Sequence, residues 1–406
     1  MQQSRRATLT LFASFLHFDV SFMVWVILGP LALFIAKDLD LSIAQKAFLV
    51  SVPPLGGAFF RVILGYLSDQ YGPKRVGVAS MALTLVPLLI GWLAGTTYGA
   101  MLAVGFLLGI AGASFAVSLP LASRWFPKER QGLAMGIAGA GNSGTVLSTL
   151  FAPQIAAKVG WHATLGLATL PVLVALFAFT FLASDSPTQP APKKFEAYKK
   201  VLATADTWWF SFFYSITFGG FLALVSYLAI FFNTAYGVDK VKVGAIVAIA
   251  SLMGSVLRPV GGFISDRIGG VTLVRIVYVA FAFCAFAIAF APPLGVCEAI
   301  VFLAVGLLGM GNGAIFQVVP QRFSQEIGIV TGIVGAAGGI GGFYLPNLLG
   351  ILRASTGTFA SGFITFGIIS LVGAVFVTVM GRVWSSTFLQ SPGTVGHSSG
   401  AFALEG

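Results

Sequence analysis

The chain is a succession of long apolar runs separated by short polar intervals. A helix of roughly 20 apolar residues crosses about 30 Å of hydrocarbon. Twelve runs reach that length, at 9–36, 44–68, 76–95, 99–123, 131–156, 163–183, 208–233, 242–265, 272–292, 298–320, 328–351 and 359–382. They are continuous, whereas the spans of a β-barrel alternate polar and apolar positions. The pattern predicts an all-α membrane protein with twelve transmembrane helices. The longest polar interval, 184–207, falls at the midpoint and holds Pro187, Pro190 and Pro192, followed by Lys193, Lys194, Lys199 and Lys200. The prolines are expected to hold its first part extended, and the lysines to rest on anionic headgroups. The expected division is a six-helix bundle over 1–183, a cytoplasmic linker over 184–207, a second six-helix bundle over 208–384 and a disordered Ser/Gly-rich tail over 385–406.

Composition agrees with this division. Hydrophobic residues make up 57% of the chain and charged residues only 9%, with a mean hydropathy of +0.94. A soluble domain carries roughly 25% charged residues, so this chain lacks the charge to cover a water-facing surface. The 50 glycines and 18 prolines lie within the apolar runs, where close helix packing tolerates them. A net charge of +10 would suggest nucleic acid in a soluble chain. Here the positive-inside rule explains it, and no nucleic-acid partner is expected. Of the 23 basic residues, 15 fall on one side if the N-terminus is inside, six on the other, and Arg61 and Arg258 within spans. Both termini are therefore expected to be cytoplasmic, in an inner or plasma membrane. Arg5 and Arg6 precede a hydrophobic run too long for a signal peptide, and no cleavage site follows, so the first span is expected to remain. Two cysteines, no metal-spaced cluster and no Walker-type loop leave no expected metal, cofactor or ATP site. His17, His162 and His397 are too scattered for a catalytic triad, so an enzyme is not expected. A monomer in contact with membrane lipid is expected.

The two halves repeat one another. Arg61 is followed eight residues later by Asp69, inside Gly65-x-x-Ser68-Asp69-x-x-Gly72, and then by Lys74 and Arg75. Arg258 is followed eight residues later by Asp266, then Arg267 and Gly269. Gly105 to Phe115 parallels Gly306 to Phe316, and Pro120 parallels Pro320. Gly136 to Gly144, which contains Asn142, parallels Gly332 to Gly342. Duplication on this scale marks a transporter built from two related halves around a central cavity.

Arg61 and Arg258 stand out chemically. Burying an arginine at mid-membrane costs about 2.5–3.5 kcal/mol on insertion scales, so such residues are rare and usually functional. No acid lies within a helical turn of either in its own span. Two planar guanidinium forks without a protein counter-ion suit a small planar oxyanion. The plain structural reading is pairing with a distant acid, or snorkelling. Asn142 is an amide in a run of small residues, able to donate to an anion or to bond another helix. Asp19 is the acid nearest the middle of any span, so it is a candidate proton carrier or a counter-ion to an arginine. His17 is expected to face headgroups. The many phenylalanines usually pack, but Tyr214 and Phe218 are four apart and share a helix face.

The twelve-span pattern and the Gly65 to Arg75 motif resemble the major facilitator superfamily. The glycine-rich segments Gly139-Ala-Gly-Asn142-Ser-Gly144 and Gly335 to Pro346 look like the two signature segments of its nitrate/nitrite porter family, and the resemblance covers nearly the whole chain. Phe18 to Val26 looks like the first span of the assimilatory, proton-linked branch. The resemblance implies the major facilitator fold, two pseudo-symmetric six-helix bundles. It implies that Arg61 and Arg258 bind nitrate or nitrite, with Phe115 and Phe218 sandwiching the flat ion and Tyr214 and Asn142 bonding it. It implies that spans five and eleven slide against spans eight and two on their glycine faces. It also makes Asp69, Arg75, Asp266 and Arg267 gating charges that lock one state by pairing across the halves. The expected function is nitrate import, possible also for nitrite, with protons as the coupling ion. Proton-independent nitrate/nitrite exchange and transport of another small anion remain open. A nitrate sensor lacks any segment large enough for an output domain.

Overall fold

The computed structural model describes residues 2–126, 138–187, 195–323 and 326–389, and among these there is no strand. The first crossing is made of two helices, α1 (Gln2–Trp25) and α2 (Leu28–Asp38). Pro30 has no N–H for the Val26 carbonyl, which accepts from Gly29 at 2.9 Å instead, and the helix is interrupted there. Next come α3 (Ile43–Tyr71) and α4 (Pro73–Ala94). The fourth crossing, α5 (Tyr98–Gly112) and α6 (Phe115–Ser123), is also interrupted. At its break the Ala116 N–H bonds the Ala113 carbonyl at 3.0 Å, which leaves the Gly112 carbonyl for another donor. The fifth crossing is described from residue 138 onward, as a 3₁₀ turn at Ala140–Ser143 and then α7 (Gly144–Val159). The sixth is α8 (Trp161–Leu167) and α9 (Thr169–Leu182).

In the second half the crossings are unbroken. They are α11 (Ala205–Tyr236), α12 (Lys240–Ile268), α13 (Gly270–Ala289), α14 (Leu294–Arg322), α15 (Ile327–Thr356) and α16 (Ala360–Ser385), preceded by a short linker helix, α10 (Phe195–Ala203). Eleven described segments have the length and apolarity of a crossing, and the 16-residue α7 is the described part of the twelfth. Twelve crossings return Leu389 to the side on which Gln2 begins, here called the terminal face. The sequence repeat reappears as geometry. The helices α3 and α12 both stop at a glycine with positive φ, +89° at Gly72 and +86° at Gly269, which glycine adopts without strain. The N–H groups of Gly72 and Gly269 bond the Ser68 and Ser265 carbonyls at 3.1 and 2.9 Å, and the next helix starts at once.

Within each half α3 packs on α5, and α12 on α14; between the halves α3 runs along α15 and α7 along α12. Most of α11 is buried at the centre, whereas Leu93, Phe181, Phe283 and Phe290 point outward from peripheral helices. Their exposure is what contact with lipid tails requires.

One helix face records how the halves meet. On α15, Gly328, Gly332, Gly335, Gly339 and Gly342 recur at alternate spacings of four and three, so they form one stripe. Toward the opposite face the stripe is packed tight: Gly339 lies on the Pro54 carbonyl and Ala58, Gly342 on Pro54 and Leu222, and beyond them Gly350 on Ala47. Toward the terminal face Gly328 and Gly332 have no atom within 4 Å of an added Cβ. The opposite face carries further bonds between the halves. Asn347 Nδ2 donates to Ser51 Oγ at 2.7 Å, and Lys240 Nζ donates to the Leu33 carbonyl at 3.0 Å. The halves are therefore closed on the opposite face and stand apart along this stripe at the terminal face.

Two expectations change, and the linker carries a helix, 195–203, beyond its proline-rich first part, with α11 beginning at Ala205. Residues 188–194, with Lys193 and Lys194, lie outside the described residues. Helix α16 reaches Ser385, and Phe388 packs on Trp384 at 5.8 Å, so the start of the tail is ordered; 390–406 are not described. Finally, Gly141 and Gly144 of the fifth crossing pack on Phe18 and Asp19 of α1, in their own half, rather than on the eighth crossing. A Cβ at either position would strike that helix, so these glycines serve close approach within the half.

Gly339→Leu should lower the thermal unfolding midpoint in detergent by forcing α3 from α15, a cost of about 1–3 kcal/mol. Gly332→Ala, which meets open space, should leave the midpoint unchanged or raise it. Equal midpoints for the parent and Gly339→Leu would contradict this packing.

Candidate functional site

Arg61 projects from α3 into the centre of the protein and is 1% exposed. One terminal nitrogen donates to the Gly112 carbonyl at 2.7 Å, the acceptor released by the break between α5 and α6. The other donates at 2.5 Å to the Gly335 carbonyl of α15, in the second half. Its Nε is buried without a partner. Arg258 projects from α12, lies beside Tyr214 and has one terminal nitrogen buried without a partner. Both guanidinium carbons lie over the ring of Phe115, at 5.2 Å for Arg61 and 5.9 Å for Arg258. Among the described residues neither arginine forms an ion pair. Two charges thus meet in the interior, held by carbonyls, a phenol and aromatic faces, with N–H donors unspent.

The aromatic walls come from both halves. Phe218 lies 5.8 Å and Trp25 5.7 Å from the Arg61 guanidinium carbon, and Tyr214 stacks on Phe218 at 5.1 Å. The geometry also brings in Phe316 of α14, edge-on to Tyr214 at 5.0 Å and 6.2 Å from Phe115. The sequence contains the signal for Phe316, which is its place in the repeat opposite Phe115. Asn142, on the 3₁₀ turn before α7, is buried with its Oδ1 unpartnered. No interhelical hydrogen bond occupies that oxygen, so the simplest packing role for Asn142 is absent.

Asp19 sits apart from the arginines in bonding terms. Its Oδ1 accepts from Ser143 Oγ at 2.6 Å, and Gly144 at the start of α7 packs against its backbone. The counter-ion role is therefore not the one it plays in this conformation. Ser143 and Asn142 are adjacent on one turn, so the carboxyl and the amide share a mechanical link. His17 departs from expectation. It is fully buried, bonded to Ser118 Oγ at 2.8 Å and the Gly77 carbonyl at 3.4 Å, and packed on Phe179 at 4.5 Å. Two polar partners inside the bundle satisfy the ring there, so it does not need the headgroups.

The four terminal-face charges are arranged differently from one another. Asp69 accepts from Arg124 at 3.3 Å and from the hydroxyl of Tyr198 on α10 at 3.1 Å. Burial first, and then the Asp69 carboxylate, hold the Tyr198 phenol well above its usual range, so it remains a donor. One turn back Tyr66 meets Tyr198 edge-on at 5.8 Å, and Lys200 of the same short helix pairs with Glu326, at the start of α15, at 3.0 Å. The linker helix thus ties the end of α3 to the start of α15. Arg267 lies over Phe263 at 4.3 Å, Asp266 is exposed, and Arg75 is exposed at the start of α4. Asp69 therefore pairs with its own half and the linker, not across the halves, as expected of a structure whose terminal face is open. Lys74 contributes its backbone N–H to Asp185 at 3.0 Å.

Two related bundles around a buried, arginine-lined centre define a multi-pass membrane transporter, not an enzyme. The comparisons agree. The family described as Major Facilitator Superfamily matches residues 11–346. A Bacillus subtilis protein named nitrite extrusion protein is 33% identical over 365 residues, covering 89% of this chain and 91% of that one. A Mycobacterium tuberculosis protein named probable nitrate/nitrite transporter NarK2 is 35% identical over 337 residues, covering 82% of this chain and 85% of its own length. A Staphylococcus haemolyticus protein named probable nitrate transporter NarT is 32% identical over 380 residues, covering 91% and 95%. The chain belongs to the nitrate/nitrite porter family of the major facilitator superfamily.

Tyr198→Phe should remove one hydrogen bond of the linker, worth about 0.5–1.5 kcal/mol, and speed amide exchange across Phe195–Ala203 several-fold. Exchange equal to that of the parent would mean that the Asp69 contact contributes nothing to holding α10.

Proposed function

We propose that the chain imports nitrate, with nitrite as a second substrate, across the cytoplasmic membrane by alternating access, with protons as the coupling ion. The observation that carries this reading is the pair of buried arginines over one Phe115 ring, without a carboxylate on either. A monovalent planar oxyanion offers in-plane acceptors to the unspent guanidinium N–H groups and flat faces to Phe115 and Phe218. The names of the three relatives support nitrate and nitrite among such ions. In this reading the terminal face is cytoplasmic, as the basic residues suggest, and the anion leaves by it.

The halves, 1–183 and 208–384, rock about the line where α3 meets α15 and α7 meets α12. The anion lowers the repulsion between Arg61 and Arg258 and so favours closure over it; a ligand shifts such an equilibrium only by its preference for one state. Terminal-face closure brings α3 onto Gly328 and Gly332. Opening of the other face releases Asn347 from Ser51 and Lys240 from Leu33. Asp69, Arg75, Asp266 and Arg267 then act at the terminal gate, with Asp69 passing from Tyr198 to partners across the halves.

Asp19 is the proposed proton carrier. Its bond from Ser143 and its contact with Gly144 join it to the turn that bears Asn142, so a change in its charge is felt beside the anion. The second reading is nitrate/nitrite exchange without protons, which the name of the Bacillus subtilis relative favours.

In proteoliposomes, nitrate uptake should fall at least a hundredfold for Arg61→Lys and for Arg258→Lys, because lysine cannot reproduce the fork; uptake at the parental rate in both would overturn the reading. An imposed inward proton gradient should drive uptake in the parent and not in Asp19→Asn. Uptake indifferent to the gradient, with Asp19→Asn active, would establish exchange instead.

A further inference from the structure

Asn312 belongs to the Gly306 to Phe316 segment that repeats Gly105 to Phe115. It lies in the middle of α14, is 2% exposed, and its Oδ1 is buried without a partner. No hydrogen bond to its side chain is present among the described residues. A polar group in that condition costs free energy unless something else satisfies it.

The neighbours of α14 fix where Asn312 points. Gly309 packs on the backbone of Gly254, and Gly313 on the carbonyl of Arg258, so these two mark the side turned to α12. Gly311 packs on Thr217, and the Leu308 side chain reaches Gly220, so these mark the side turned to α11. At about 100° per residue, Asn312 falls between the two sides, on the face that carries Phe316 one turn later. Phe316 is the residue that meets Tyr214 and Phe115. The Gly313 contact also sets Asn312 level with Arg258.

We propose that Asn312 is a binding residue for the transported oxyanion, a buried amide from the second half that acts alongside Asn142 from the first. Each half then supplies one arginine and one buried amide to the same ion. The amide donates an N–H to an anion oxygen, and this is the partner its side chain otherwise lacks. Its Oδ1 and Nδ2 are interchanged by rotation about one bond, so the donor reaches the place where the unpartnered oxygen now lies. The proposal rests on the anion-transport reading above and adds a contact to the site proposed there.

The test measures the rise in thermal unfolding midpoint of the purified full chain in detergent as sodium nitrate replaces sodium chloride at constant ionic strength. A ligand bound only by the folded state raises the midpoint with a concentration dependence set by its affinity. Asn312→Ala should need about tenfold more nitrate for the same rise, in line with a lost hydrogen bond to a charged ligand. Asn312→Asp, nearly the same size, should show no rise at all because it presents a carboxylate to the anion. Asn312→Ser, which keeps a smaller donor, should fall between Ala and the parent. A residue that only packs would lower the midpoint without nitrate and leave the dependence on nitrate unchanged, and that result overturns the proposal. If Ala and Asp variants do not fold, a parental nitrate dependence in Asn312→Ser overturns it alone. If the parent itself shows neither a nitrate-dependent rise nor nitrate uptake, the transport reading falls and this proposal with it. Parental uptake with normal nitrate dependence in all three variants removes Asn312 only.

Discussion

Arg61 brings a full positive charge into the centre of the protein with no carboxylate beside it, and much of the surrounding structure answers that charge. The interruption between α5 and α6 frees the Gly112 carbonyl, and Arg61 takes it. The absence of a side chain at Gly335 lets the guanidinium reach a second carbonyl from the facing half. Phe115, Phe218 and Trp25 surround it with π faces, which attract a cation more strongly once water is excluded. These partners carry dipoles and quadrupoles, not charge. The centre therefore stays cationic, and with Arg258 beside the same ring it holds the charge complement of an anion rather than of a cation or a neutral solute.

The same contact lies where the halves change from touching to parted. On one side of Arg61 the α15 stripe presses directly on α3; on the other side the stripe is bare at Gly332 and Gly328. Glycine permits both conditions on one helix, because backbone can approach backbone at one end and stand apart at the other with no side chain between. The helix stays continuous throughout. The linker helix bridges the terminal face through Tyr198 to Asp69 and Lys200 to Glu326. The charged motif at the end of α3 is thus joined to the beginning of α15 even while the two helices stand apart.

Asp19 is an acid inside the protein that stays clear of the arginine pair. A carboxylate beside Arg61 would cancel its charge. Held instead by Ser143 and the start of α7, it remains inside the protein while the arginines stay available. The turn at Ala140–Ser143 places its partner next to Asn142. Asp19 and Asn142 are thus connected through backbone rather than by direct attraction.

Much of this could be read from the chain itself. The twelve crossings follow from the length of the apolar runs, because a membrane permits few alternatives to a helix that satisfies its own backbone. The repeat placed Arg61 and Arg258 at equivalent depths, and the lack of a nearby acid in their own spans identified them as unusual. Tyr214 and Phe218 were legible as one face of a helix. What the sequence left open depended on partners from distant segments. Whether Asp19 met an arginine or Ser143, whether His17 faced headgroups or Ser118, and whether Gly141 served the interface or its own half were each decided by which helix lay opposite. Phe316 joined the centre for the same reason: helical spacing gives the side of a helix on which a residue lies, and only packing tells what that side faces.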